Sequence, residues 1–185
     1  MNKIVKLENA TCRSEQYTKG LIKFISYISA STEYMVEIGS YQGESTKIFL
    51  ENLPKIKKLY AVDPWENGYC AGDVCSDGYS MEIVERNFDL RVMSYEQLSK
   101  QKTKSENFAS KITDETLDFV YIDGNHTYES CKNDIELWLP KIKKTGFIGG
   151  HDYLENCFPG VVNAVNEKFG KPDITFIDTS WLKKV

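Results

Sequence analysis

Only two histidines occur in the 185 residues of this chain, and each stands beside an aspartate where an apolar run stops. His126 follows Asp123 in "YIDGNHTYE", and His151 precedes Asp152 in "FIGGHDYLE". An imidazole, with an ordinary pKa of about 6.5, can take a proton from a hydroxyl near neutral pH. Carboxylates can instead hold a hard divalent cation that lowers the pKa of such a hydroxyl. The blander alternative is that His126 caps the helix opening at "TYES" and His151 merely packs. Two histidines in the same setting favour one shared site.

A second group surrounds the glycine loop "VEIGSYQGES", residues 36–45. A glycine turn between a strand and a helix suits a nucleotide, provided that an acidic residue ends the next strand about 20 residues on. Asp63 in "YAVDPW" supplies it. Counted from Gly39, a G-x-G-x-x-G pattern would require glycine at positions 41 and 44, where this chain has Tyr41 and Glu44. A ring fills the approach of a pyrophosphate, and a carboxylate stands where the anion would dock. Glu37 adds another negative group, so the loop suits a ligand with cationic groups better than NAD.

The elements that must position these residues alternate along the chain. Apolar residues at 21, 22, 25 and 28 have helical spacing. "YMVEIG", "KKLYAVDP", "TLDFVYIDG" and "TGFIGGHDY" read as strands, and helices are expected between them at "GESTKIFLENL", around Met81 to Phe88, and at "YESCKNDIELWLPKI". The last places Cys131, Ile135, Trp138 and Ile142 on one face, and Pro140 should end or kink it. "GVVNAVNEKFG" is a helix with a glycine stop, and "DITFIDTSWLKKV" reads as a terminal hairpin. "MSYEQLSKQKTKSENF" has little strand character. The alternation predicts one α/β domain over residues 1–185, with a parallel sheet covered on both faces. Residues 1–33 are expected to form an N-terminal helical segment, and 64–80 a long loop placed to act as a lid.

Composition removes several classes of function. With 27 acidic and 23 basic residues the net charge is −4, which offers no basic stripe for nucleic acid. No apolar run approaches a membrane span or a signal peptide, so a cytoplasmic protein is expected. The five cysteines include no C-x-x-C pair and read as free thiols. "GNH" and "GHD" also occur in two-metal phosphoesterases, but such centres need several histidines.

In order and spacing, "VEIGSYQGES", "AVDPW", "LDFVYIDGNHTYE" and "GGHDY" resemble class I S-adenosylmethionine-dependent methyltransferases. They especially resemble the small bacterial methyltransferase-domain family related to sugar and antibiotic O-methyltransferases. The likeness runs from about residue 30 to the C-terminus. The resemblance implies a Rossmann-like, doubly wound α/β fold: a mostly parallel seven-stranded sheet, antiparallel at its C-terminal strand, with helices on both faces. It implies S-adenosylmethionine as cofactor, its methionine part held by Glu37 and the loop Gly39, Ser40, Tyr41 and Gly43. Asp63 would hold the ribose hydroxyls and Ser105 would lie near adenine. Tyr41 departs from the glycine that many such enzymes carry. Trp65, Tyr69 and Tyr79 could stack on adenine or acceptor, or simply anchor their loop.

Some relatives with carboxylates at these strand ends bind Mg²⁺, which makes Asp123 and Asp152 the candidate metal ligands. Asp123, His126 and His151 are then the candidate catalytic residues. The expected activity is methyl transfer to oxygen of a small or sugar-like acceptor. An NAD-dependent oxidoreductase and a non-catalytic cofactor-binding domain are the alternatives. No nucleic acid or membrane partner is expected, and a homodimer is left open.

Overall fold

The computed structural model describes residues 14–70 and 80–185. Residues 1–13 and 71–79 lie outside it, and with them Cys12, Cys75, Tyr79 and much of the expected lid loop. The elements are α1 (Glu15–Ile28), β1 (Tyr34–Ile38), α2 (Glu44–Asn52), β2 (Lys58–Asp63), α3 (Met81–Val92), β3 (Leu98–Lys102), α4 (Ser105–Ala109), β4 (Leu117–Ile122), α5 (Tyr128–Trp138), β5 (Ile142–Gly150), α6 (Pro159–Phe169), β6 (Ile174–Thr175) and β7 (Trp181–Lys184).

The strands form one sheet in the order β3-β2-β1-β4-β5-β7-β6. Pairing is parallel from β3 to β5 and antiparallel at β7 and β6. This is the seven-stranded, doubly wound arrangement expected. Strand period 2 divides the core in two. Met35, Leu59, Phe119 and Tyr121 pack against α1, α2 and α3 through Phe24, Phe49 and Phe88. Their neighbours Val36, Val62, Val120 and Ile122 face α4, α5 and α6 through Phe108, Ile135, Trp138 and Val165.

Three local readings differ from expectation. Ile22 is 45 % exposed, because the buried stripe of α1 runs through Tyr17, Leu21, Phe24, Ile25 and Ile28 instead. "LSKQK" forms β3 despite its polarity; among the described residues only one of its edges is paired, and its side chains stay half-exposed. Tertiary pairing overrides a weak propensity there. Ile142, read onto the helical face of α5, opens β5 instead, whereas α5 ends at Trp138, just before Pro140, as expected.

Four central strands end in step. Gly39 N–H donates to Val62 O at 2.9 Å, Asp123 N–H to Ile38 O at 2.8 Å, and His151 N–H to Ile122 O at 3.1 Å. Neighbouring strands are about 4.8 Å apart, so Asp63, Asp123 and His151 are presented along one edge. Glycine permits this closeness. A Cβ on Gly39 would lie 2.0 Å from Asp123 O, at a φ of +82°, and one on Gly150 would lie 2.2 Å from Ile122 O.

Candidate active site

A cavity of about 760 Å³ opens beyond the carboxyl ends of these strands, large enough for a nucleoside-sized ligand and an acceptor. Gly39, Tyr41, Asp63, Ser105, Asp123, His126, His151 and Asp152 all line it. The residues expected from sequence on four separate strand ends are therefore brought together. Glu37, Ser40, Gly43 and Trp65 are buried behind the wall, which they do not line.

Asp63 organises the β2 end. Its Oδ2 accepts from Tyr41 N–H at 3.0 Å and its Oδ1 from Trp65 N–H at 2.8 Å, while Trp65 Nε1 donates to Tyr41 O at 2.8 Å. Tyr41 and Trp65 both adopt left-handed backbone, at φ 43° and 44°, a costly state for large residues that this triangle of bonds stabilises. Burial raises the Asp63 carboxyl above its ordinary range, against the pull of the two backbone N–H groups. Each oxygen keeps a second lone pair that can accept from a donor in the cavity. Trp65 stacks on Phe88, with ring centres 4.8 Å apart, and Lys100 Nζ lies 4.9 Å from its ring. It anchors the loop from within the core. Tyr69 lines the cavity, and burial, followed by the nearby Glu106 and Asp134, pushes its hydroxyl up to about 12.

Beneath the loop, Glu37 accepts a hydrogen bond from the Thr46 hydroxyl in the first turn of α2. Complete burial raises its pKa to about 7 although Ser45 and Thr46 hydroxyls oppose the shift. Glu44 lies 3.6 Å from Arg91 Nη2, which offsets the charge that sequence reading placed against a pyrophosphate. Tyr41 remains the obstacle.

Asp152 joins the two histidines. His126 Nε2 lies 2.7 Å from its Oδ2 and His151 Nδ1 lies 2.9 Å from its Oδ1. Asp152 takes φ 60° to reach both. Burial alone would raise its pKa, but the bonds and charges of His126 and His151 hold it well below the usual carboxylate range. Asp123 Oδ1 is 3.9 Å from His151 Nδ1. The His126 ring packs on Phe158, 4.7 Å between centres, and Tyr17 of α1 meets His151 edge-on at 5.0 Å. Thr127, rather than His126, caps α5. Asp123, His126 and Asp152 offer ligand atoms within 4.8 Å of one another, a mixed oxygen and nitrogen donor set that fits a divalent cation.

Among the residues that escaped sequence reading, Asp134 lines the cavity, whereas Tyr17 meets His151 without lining it. Tyr17 carries no motif. Asp134 sits on the buried stripe of α5 with Cys131, Ile135 and Trp138, and a carboxylate on an apolar stripe was the available signal. Burial raises its pKa to about 7, against the bond from Ser105. The thiols hold no shared site among the described residues: Cys131 is buried, and that burial pushes it up to about 12, Cys157 is exposed, and Cys70 lines the cavity. No described helix is long and apolar enough to cross a membrane.

Residues 36–153 match a family described as Methyltransferase domain. Two curated relatives are the uncharacterized protein R132 of Acanthamoeba polyphaga mimivirus, 27% identical over 136 residues, and the uncharacterized protein y4gI of Sinorhizobium fredii, 29% over 123 residues. The matches cover 71% and 64% of this chain, but only 57% and 13% of those proteins. Among solved structures, the cofactor-bound Rv0187 from MTB superimposes with a TM-score of 0.65 at 12% identity, over 97% of this chain and 84% of that one. The O-methyltransferase NovP does so at 0.57 and 20%, over 92% and 78%. At such identities the likeness concerns the fold.

Proposed function

The chain belongs to the methyltransferase-domain family of class I S-adenosylmethionine-dependent enzymes, and from that premise we propose that it transfers the cofactor's methyl group to an oxygen of a small, sugar-like acceptor. The observation that carries this reading is the Asp152 carboxylate holding two imidazoles at the wall of the cavity that Asp63 also lines. One imidazole takes the acceptor's hydroxyl proton, and the oxygen attacks the methyl carbon in line with the carbon–sulfur bond. That bond's electrons return to sulfur, leaving S-adenosylhomocysteine. Asp152 stays ionised, orients the rings and stabilises the imidazolium, the part that a carboxylate plays toward histidine in hydrolases. Asp63 holds the ribose, and Gly39 and Tyr41 line the path to the reacting end.

Asp123 and Asp152, with His126, would hold a Mg²⁺ ion, which when bound would lower the pKa of the acceptor hydroxyl and orient it. Calorimetric titration with S-adenosylhomocysteine, with and without Mg²⁺ and with NAD as control, tests the reading. Micromolar binding with NAD silent is expected, and chelation should lower turnover on an acceptor while leaving cofactor affinity intact. A well-folded sample that binds neither nucleotide would leave a domain that kept the fold and lost the chemistry.

A further inference from the structure

Asp134 is 7 % exposed, lines the cavity, and has no part in the reaction described above. Its surroundings set its hydrogen-bond direction. An indole N–H can only donate, and Trp138 Nε1 donates to Ser105 Oγ at 2.8 Å. Ser105 therefore turns its own proton to Asp134 Oδ1, at 2.5 Å. The chain runs one way, from Trp138 through Ser105 to Asp134, and fills Oδ1 from inside the protein. Oδ2 has no hydrogen-bond partner among the described residues, and it lies 3.9 Å from where a Cβ on Gly124 would stand. Oδ2 is not sealed in the core but reaches the cavity, and the described residues give it no donor. A ligand in the cavity can supply one.

Strand order says which part of a ligand arrives there. A ribose held at Asp63 sits at the end of β2, and the reacting centre must point across β1 toward Asp123 and His151 on β4 and β5. The base leaves the sugar on the opposite side, toward β3. There Thr103, Ser105 and Glu106 form the wall, and α5 brings Asn133 and Asp134 onto it. Adenine's ring nitrogens accept hydrogen bonds, which Asp134 cannot serve while it is ionised. Its exocyclic amine donates, and that is what Oδ2 lacks.

We propose that Asp134 Oδ2 accepts a hydrogen bond from the exocyclic amine of adenine, so that this carboxylate on α5 selects a 6-amino over a 6-oxo purine, with Ser105 as its positioning residue. The inference rests on S-adenosylmethionine being the cofactor. It assigns Ser105 a place near the base without direct contact to it.

The test compares S-adenosylhomocysteine with its 6-oxo analogue, S-inosylhomocysteine, by calorimetry on wild type and Asp134→Asn. Wild type should prefer the 6-amino ligand by about tenfold or more. Asparagine keeps the shape and turns an N–H₂ toward the base, because its oxygen still receives the Ser105 proton. The preference should then vanish or invert, with loss concentrated on the 6-amino ligand. A merely structural Asp134 would weaken both ligands equally. An unchanged ratio in a folded variant would overturn the assignment while leaving cofactor binding intact. Failure of wild type to bind S-adenosylhomocysteine at all would overturn the methyltransferase reading and this one with it. Ser105→Ala provides a second check. It frees Oδ1 and should narrow the ratio less than Asp134→Asn, and a ratio left at the wild-type value in both variants would again overturn the proposal.

Discussion

At the scale of single residues, one carboxylate governs two imidazoles. Replacing Asp152 by asparagine removes the charge that sets both rings, and turnover should fall by about 100-fold or more. S-adenosylhomocysteine affinity should stay within a few-fold of wild type, so kinetics and calorimetry together separate chemistry from cofactor binding. Glu37 gives a stability prediction with a defined sign. Its folded pKa of about 7 exceeds the ordinary carboxylate value, so the native state holds more protons than the unfolded state between about pH 4.5 and 7. Stability from this group is thus greatest below that window and falls as pH rises through it, by about 3 kcal/mol. Urea melts of wild type and Glu37→Gln at acid and mildly alkaline pH should show the slope in wild type and its reduction in the variant. Asp152, whose pKa is depressed, keeps its contribution down to strongly acidic pH and does not mask the effect. The sequence made this site legible through residue type: histidine is scarce, and aspartate beside both copies was conspicuous. What it could not show was connectivity. That Asp152 rather than Asp123 holds both rings follows from a backbone turned to φ 60°.

Among elements, the decisive feature is the shared height of the strand ends. Gly39→Ala should cost about 3 kcal/mol or more, since its Cβ would overlap the Asp123 carbonyl and its φ suits glycine. A lower melting temperature together with weakened cofactor binding is the expected result, since the same displacement moves Asp123. Hydrophobic runs ending in glycine or aspartate announced β1, β2, β4 and β5 in the sequence, because buried parallel strands are nearly continuous apolar stretches. β3 escaped because an edge strand with half-exposed faces carries no such run. Asp134 escaped for the opposite reason. Apolar periodicity draws attention to the residues that keep the pattern, and the one that breaks it was overlooked.

For the whole molecule, charge is unevenly distributed. The described cavity lining includes Asp63, Glu66, Glu106, Asp123, Glu129, Asp134 and Asp152, and no lysine or arginine. Such a cleft favours a cationic sulfonium over its neutral product and disfavours phosphorylated acceptors. Binding of S-adenosylmethionine should therefore weaken with added salt more steeply than binding of S-adenosylhomocysteine. Paired titrations at low and high ionic strength would show it, and parallel slopes would argue against a field effect. The triangle around Asp63 has a different kind of consequence. Both of its carboxylate bonds go to peptide N–H groups, which every residue but proline possesses, so the grip is indifferent to the side chains at 41 and 65. Position 41 can thus change its side chain without losing that bond, whereas position 65 is also tied down by its indole, which donates to Tyr41 O and stacks on Phe88. A search pattern that insists on glycine at position 41 would pass over this protein, though Asp63 still holds that turn by its peptide N–H.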